Sequence, residues 1–270
     1  MRGTSGASLA AAEERFEPVL RSAGAESATL GEQLFVVVDA LDGSGALRRS
    51  LADPSRDGAD KAALVAGVLS AFDERVVDLV SGVARARWAA DADLVDALER
   101  LGVDAVLAGA QARGALETVE DELFRLTRAL AGQRDARQAL SDRTATVARR
   151  TALVDTLLDG RVDPVTLVLA RRATAAPRGR RFVATLSYYG DVAAERRRRL
   201  VVSVTSASVL TQAQEARLGE ILERSYGRPV QLNVTVDPAV VGGLRIQVGA
   251  DVVDSTVLNR LADARRRLAG

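Results

Sequence analysis

Three kinds of side chain in this sequence could do chemistry: clustered carboxylates, two arginine runs and one lysine. The acids gather at Glu13-Glu14, at Asp91 with Asp93, and at Glu117 with Glu120-Asp121-Glu122. Paired carboxylates can exchange protons as general acid and base or hold Mg²⁺. Glu117, Glu120 and Asp121 also fall in the first turn of an expected helix, where the helix dipole favours acids. A structural duty accounts for them. The arginine runs are Arg178-Gly179-Arg180-Arg181 and Arg196-Arg197-Arg198-Arg199. They could contact nucleic-acid phosphates, or form a solvated helix end, or meet an acidic partner helix. Apart from Phe182 and the Tyr188-Tyr189 pair, no aromatic is interleaved to stack on bases. The lone lysine, Lys61, follows Gly58-Ala59-Asp60, which is not a phosphate-binding P-loop.

What is missing narrows the chemistry further. The 270 residues include no Cys and no His. That removes disulfides, thiol nucleophiles, the Ser-His-Asp triad and the usual zinc sites. Charge is nearly balanced, 37 basic residues against 36 acidic ones, so no whole-protein field draws in nucleic acid. Only 3% of residues are aromatic, so the core must be built from Ala, Leu and Val. Trp88 and Phe72, isolated large aromatics, are expected to pack in it. No run approaches the ~20 apolar residues of a membrane span; the best, Leu34-Phe35-Val36-Val37-Val38, stops at Asp39. The N-terminus leads straight into a charged amphipathic segment, unlike a signal peptide. A cytosolic chain that meets membranes only through a partner is expected.

The elements that must position these residues change period once, near residue 200. Before it, apolar residues recur at i, i+1, i+4 and i+7: Leu34, Phe35, Val38, Leu41; Leu94, Val95, Leu98, Leu101; Leu123, Phe124, Thr127, Leu130. That is helical spacing. After it, Val230, Leu232, Val234 and Val236 alternate with polar residues, as do Leu244, Ile246 and Val248, which is strand spacing. Val201 to Thr205 is a third strand candidate. Asp237-Pro238 and Gly242-Gly243 punctuate the strands. Thr211 and Gln214 have capping-box spacing for a helix running to Tyr226, stopped by Gly227 and Pro229. A last helix is expected from Asp254-Ser255 onward, with Val257, Leu258, Leu261 and Leu268 on one face. The predicted tail order is β-α-β-β-α.

The helical part contains a duplication. Shifted by 89 residues, 29–80 and 118–169 share fifteen of 52 positions without gaps, among them Thr29/Thr118, Leu34/Leu123, Phe35/Phe124, Leu41/Leu130, Gly43/Gly132 and Asp53/Asp142. Each copy begins with a cap-like Thr, runs through a Leu-Phe helix and breaks at Gly. The expected fold is mainly α: two tandem helical bundles, 1–103 and 104–200, followed by a small α/β domain, 201–270. The stretch Asp91 to Arg113, at the boundary, reads as one long helix or two.

The tail carries the specific signal. Asp237-Pro238, an apolar stretch, Gly242-Gly243, an alternating strand, Gly249-Ala250-Asp251 and Asp254-Ser255-Thr256-Val257, continuing to Arg260-Leu261, resemble the C-terminal signature of the delta subunits of F-type ATP synthases, the oligomycin-sensitivity-conferring protein family. The match is close over 201–270 and general over 104–200. Two features depart from it. Gly249-Ala250-Asp251 stands where Gly-Asp is usual, and the extra helical copy resembles the enlarged actinobacterial form. Each signature residue has a fold-specifying role: the glycines permit a tight bend, Asp237-Pro238 ends a strand, and Asp254 or Ser255 caps a helix.

The resemblance implies a non-catalytic stator subunit with no cofactor. It would link the alpha subunits of the catalytic head to separate b-type stalk chains at the cytoplasmic face of the membrane. Candidate partner anchors are Leu123, Phe124 and Leu130 in the second copy, and Leu258 and Leu261 in the tail. The second copy is expected to meet the head, as it adjoins the tail. Two rivals remain: a nucleic-acid-associated helical protein using the arginine runs, and a carboxylate-based hydrolase with paired buried acids of raised pKa.

Overall fold

The helix-period stripes fold as α1 Gly3–Ala23, α2 Ser27–Gly43, α3 Gly45–Ala52, α4 Gly58–Val68, α5 Glu74–Arg85, α6 Asp91–Ala112, α7 Leu116–Ala131, α8 Arg134–Ser141, α9 Val147–Leu158, α10 Pro164–Ala175 and α11 Phe182–Arg198. The computed structural model describes residues 3–142, 144–198, 200–226, 230–237, 243–248 and 251–254. Residues 1–196 form one unit and 197–270 another.

The duplication is visible in the helix order. Helices α2 to α6, of 17, 8, 11, 12 and 22 residues, are matched by α7 to α11, of 16, 8, 12, 12 and 17 residues. It is visible also in hydrogen bonds. Asp53 accepts from the Ser55 backbone N–H at 2.9 Å, and Asp142 from that of Thr144 at 2.8 Å. The Lys61 ammonium donates to the Asp53 carbonyl at 3.2 Å, and the Arg150 guanidinium to the Asp142 carbonyl at 2.8 Å. The backbone N–H of Asp73 donates to Gln33 at 2.9 Å, and that of Asp163 to Glu122 at 2.9 Å. Asp73 and Asp163 then cap α5 and α10 through their own carboxylates. Chance likeness between two Ala-rich bundles would not repeat such polar contacts.

Helix α6 belongs to both halves. Its Leu94, Val95, Leu98, Leu101 and Ala105 lie in a core with α1 to α5. Its Val103, Val106, Leu107 and Ala110 lie in a core with α7 to α11. The boundary expected at 103/104 falls inside this helix, and the division into units comes at 196/197. Asp91 to Arg113 resolves as one helix, closed at its far end. The Gly114 N–H bonds the Gln111 carbonyl, the Ala115 N–H bonds that of Ala110, and Gly114 takes φ +71°. This is a Schellman stop. Along its length α6 crosses α2 closely enough that a Cβ on Gly31 would stand 2.5 Å from Val106 Cγ2 and 2.6 Å from the Gly102 carbonyl oxygen.

In the second unit β1 Leu200–Ser206 leads through α12 Gln212–Tyr226 to β2 Val230–Val236, then β3 Leu244–Val248 and β4 Asp251–Asp254. The sheet order is β2-β1-β3-β4, with β1 parallel to β2 and antiparallel to β3. Of the strand-period residues, Val230, Leu232, Val234, Leu244 and Ile246 pack half-buried against Val202 and Val204 of β1 and Leu222 of α12, while Val236 at the end of β2 is exposed. The capping box forms, with Gln214 Oε1 accepting from the Thr211 N–H at 2.8 Å and Thr211 Oγ1 from the Gln214 N–H at 3.3 Å. Strand β4 was not legible. Its four residues are too short for an alternation, and it pairs on β3 with Asp254 opposite Arg245. The helix expected after it lies outside the described residues.

Candidate partner-binding surfaces

A polar seam joins the two halves of the first unit. Arg172 of α10 donates to Glu99 of α6 through Nη2 at 2.6 Å and through Nε at 3.2 Å. Its Nη1 reaches Asp39 of α2 at 2.7 Å, and its guanidinium lies 4.6 Å from the centre of the Phe35 ring. The Tyr189 hydroxyl of α11 donates to Glu99 at 3.1 Å. Arg172 and Glu99 are 5% and 3% exposed. Further along, Arg196 of α11 donates to Glu17 of α1 at 3.0 Å and to Gln111 of α6 at 2.7 Å, and pairs with Asp104 at 3.1 Å. Arg100 of α6 pairs with Glu13 of α1 and with Glu195 of α11. Arg178 pairs with Asp42 of α2 and, at 2.7 Å, with Asp96 of α6. Burial of these cations opposes their charge, but the surrounding carboxylates overcome it and raise each arginine's pKa further.

This seam disposes of much of the nucleic-acid reading. Arg178 and Arg196, one from each arginine run, are internal ties rather than phosphate contacts. The arginines gain pre-organised carboxylate partners that a polyanion would have to displace.

The acidic clusters are structural in the same way. Glu122 holds the Asp163 backbone and the Thr166 hydroxyl, the latter at 2.6 Å. Asp91 takes the Arg48 Nε–H at 2.8 Å, and Asp93 the Ser5 hydroxyl at 2.6 Å. Hydrogen bonds hold the carboxyls of Asp53, Asp73, Asp91 and Asp142 below their usual range, from Ser55, Arg75, Arg48 and Thr144 respectively. A hydrolytic carboxylate pair needs the opposite shift on one member. Among the described residues no group of acids is arranged to hold a metal ion.

The expected anchors separate. Leu123 is 0% exposed, inside the second core, so it packs the bundle and offers no face to a partner. Leu130 is partly buried against the same core. Phe124 is 58% exposed, with the Arg128 guanidinium 5.7 Å from its ring centre. Its counterpart Phe35 is 6% exposed because α10 and α6 cover it. Phe124 occupies the same place in the second copy, where no third copy follows to cover it. Trp88 is a core residue and Phe72 packs half-buried against the same core, and the Trp88 indole N–H bonds the Val83 carbonyl at 2.8 Å.

In the tail, Asp237 follows β2 and its N–H bonds the Ser206 carbonyl at 2.9 Å. Gly243 has φ +83° ahead of β3, the conformation that glycine permits. Asp254 ends β4. Pro238, Gly242, Gly249, Ser255, Leu258, Arg260 and Leu261 lie outside the described residues.

No motif marks the Glu99–Arg172–Tyr189 cluster, whose members are far apart in the chain. A signal was present: Glu99, Arg100 and Asp104 interrupt an otherwise apolar stretch of α6.

Comparison with known proteins decides the family. The model of the ATP synthase delta (OSCP) subunit matches residues 103–268. This chain belongs to that family. Relatives named ATP synthase subunit delta match along the whole chain. That of Beutenbergia cavernae is 57% identical over 271 residues, covering 100% of both chains. That of Kineococcus radiotolerans is 48% identical and covers 99% of this chain and 98% of its own. That of Streptomyces coelicolor is 43% identical and covers 100% and 98%. The family match begins within α6, while the relatives extend across the first copy as well. The added copy is therefore shared by the delta subunits of these relatives. Among the described residues no helix is long and apolar enough to cross a membrane.

Proposed function

We propose that the chain is a non-catalytic peripheral-stalk subunit of a proton-translocating F-type ATP synthase. It would link the alpha subunits of the catalytic head to the b-type stalk at the cytoplasmic face of the membrane, so that rotor torque drives ATP synthesis. The observation that carries this is full-length identity to proteins named ATP synthase subunit delta. The architecture supports it. A connector under torque needs joints that hold and a body that does not shear. The shared helix α6 and the arginine–carboxylate seam give residues 1–196 such a body.

In this reading the family-like second copy, about 104–200, meets the head, the first copy braces the assembly, and the tail, 201–270, holds the stalk. The open Phe124 face of α7 is the anchor of the second copy. A large exposed aromatic of this kind dominates interfaces. Deleting residues up to 103 is a poor test, because the cut would divide α6. Substituting Phe124→Asp in the full chain is better. It should weaken head binding by ~30-fold or more, as loss of a hot-spot aromatic costs at least ~2 kcal/mol. Val36→Asp, at an exposed position on α2 of the first copy, should leave head binding intact. The reverse pattern would assign the head to the first copy.

A further inference from the structure

The two copies differ at one place in a way that points to a ligand. In the second copy, α8, α9, α10 and the start of α11 enclose a cavity of about 720 Å³. Arg134, Arg137, Arg150, Arg180 and Arg181 line it, and none of its described lining residues is an acid. None of the five forms an ion pair among the described residues; Arg150 is held by the carbonyls of Asp142, Ala145 and Thr174, and Arg180 stacks on Tyr188. In the first copy two of the corresponding positions are filled or paired. Trp88, in the link between α5 and α6, is buried in the core there. Arg48, which corresponds to Arg137 at the 89-residue spacing, is paired with Asp91 at 2.8 Å. The link between α10 and α11 carries Pro177, Arg180 and Arg181 instead, with neither a plug nor a counter-charge.

Two further features face the same cavity. Residues 182–184, the first turn of the 17-residue helix α11, line it. Backbone N–H groups of a first turn have no intrahelical acceptor and, with the helix dipole, favour an anion. Thr174 also lines it. Thr174 is 2% exposed, and its buried hydroxyl has no hydrogen-bond partner. A buried polar group left unpaired costs ~1–3 kcal/mol, so its presence on this wall calls for an acceptor.

We propose that this cavity is a binding site for an oligophosphate, such as inorganic pyrophosphate or the phosphate chain of a nucleoside triphosphate. Arg137, Arg180 and Arg181 pair with the outer phosphate oxygens. The first-turn amides of α11 and the Thr174 hydroxyl donate to the inner ones. Arg150, fixed by three carbonyls, keeps the floor positive. An acidic partner helix is disfavoured, since none of the apolar lining side chains is among the exposed large hydrophobics. No apolar stripe leads out of the cavity for such a helix to follow.

The test is calorimetric titration of the full-length chain with inorganic pyrophosphate and, separately, with ATP. One-to-one binding of either probe is expected, and higher salt should weaken it. Arg137→Glu with Arg181→Glu should raise the Kd by ~10-fold or more, since hydrogen bonds to charged groups are worth ~1.5–3 kcal/mol each. Thr174→Val, which keeps the shape, should raise it by ~5-fold while leaving the ligand-free chain at least as stable, since the unpaired buried hydroxyl is removed. Arg125→Glu, on the exposed face of α7 outside the cavity, should change nothing. Equal affinity for the two probes would place recognition in the phosphates; tighter ATP binding would add the apolar lining side chains Leu140 and Phe182 to it. No saturable uptake of either probe, an equal loss in Arg125→Glu, or capture of a polyglutamate peptide in preference to pyrophosphate would overturn the proposal.

Discussion

Replacing Arg172 with Met removes the centre of the seam. The guanidinium makes its closest bond to Glu99 at 2.6 Å and another to Asp39 at 2.7 Å, and it covers Phe35. Asp39 is exposed and can return to water. Glu99 cannot: it would stay buried with only the Tyr189 hydroxyl for a partner. Breaking a buried ion pair by removing one member costs ~3–5 kcal/mol. At ~2–4 °C per kcal/mol for a unit of this size, the melting temperature should fall by roughly 6–20 °C. Substituting Glu99 with Met as well removes the orphaned charge. The double variant then loses only the partner of the Tyr189 hydroxyl, ~1–3 kcal/mol. Thermal and urea unfolding of the parent, both single variants and the double variant close the cycle. If Arg172→Met costs under ~1 kcal/mol, or the double variant costs the sum of the singles, the seam is not the coupled, desolvated tie described above.

Other expectations follow from particular contacts. Gly31→Ala should cost ~1–3 kcal/mol, because its Cβ would meet a backbone carbonyl of α6 that cannot move aside. Gly82→Ala should be neutral or stabilising by up to ~1 kcal/mol: its Cβ meets only the end of the exposed Arg15 side chain, which can swing away, and α5 gains helix propensity. Denaturant midpoints of the two variants compare them directly. Asp163→Ala removes the cap of α10 and should cost ~1 kcal/mol by the same assay. The carboxyls of Asp53, Asp73, Asp91 and Asp142 titrate below their usual range when folded. Their contribution is complete above their unfolded pKa and is lost as pH falls through the folded values, so the melting temperature should decline below pH ~4. Burial, then Glu99, pushes the Tyr189 hydroxyl well above its usual value. That contribution is complete below the unfolded pKa and lost on the alkaline side, above pH ~10.

The periodic elements were legible because burial imposes the pattern. Leu34, Phe35, Val38 and Leu41 are all buried where helical spacing puts them, and Val202 and Val204 where strand spacing does. The capping box at Thr211 and Gln214 was legible because both partners lie within one turn. The spacing of Leu123, Phe124, Thr127 and Leu130 placed a helix but did not tell the buried Leu123 from the exposed Phe124: an amphipathic stripe does not reveal whether a second layer covers its edge. Phe35 has that layer and Phe124 does not. The sharing of α6 was hidden for a related reason. Both its faces are apolar, so the sequence shows a long buried helix without showing that two cores claim it. The seam pairs Arg172 with Glu99 across 73 residues, a pairing that only the tertiary fold determines.

Mechanical coupling of the head to the stalk is measured on the assembled enzyme. Membranes carrying the parent chain should show ATP hydrolysis coupled to proton pumping, with the chain co-purifying with alpha and b-type subunits. Membranes stripped of it should hydrolyse ATP without pumping, and adding it back should restore coupling. Unchanged pumping after complete removal, or a chain that retains neither subunit, would contradict the account.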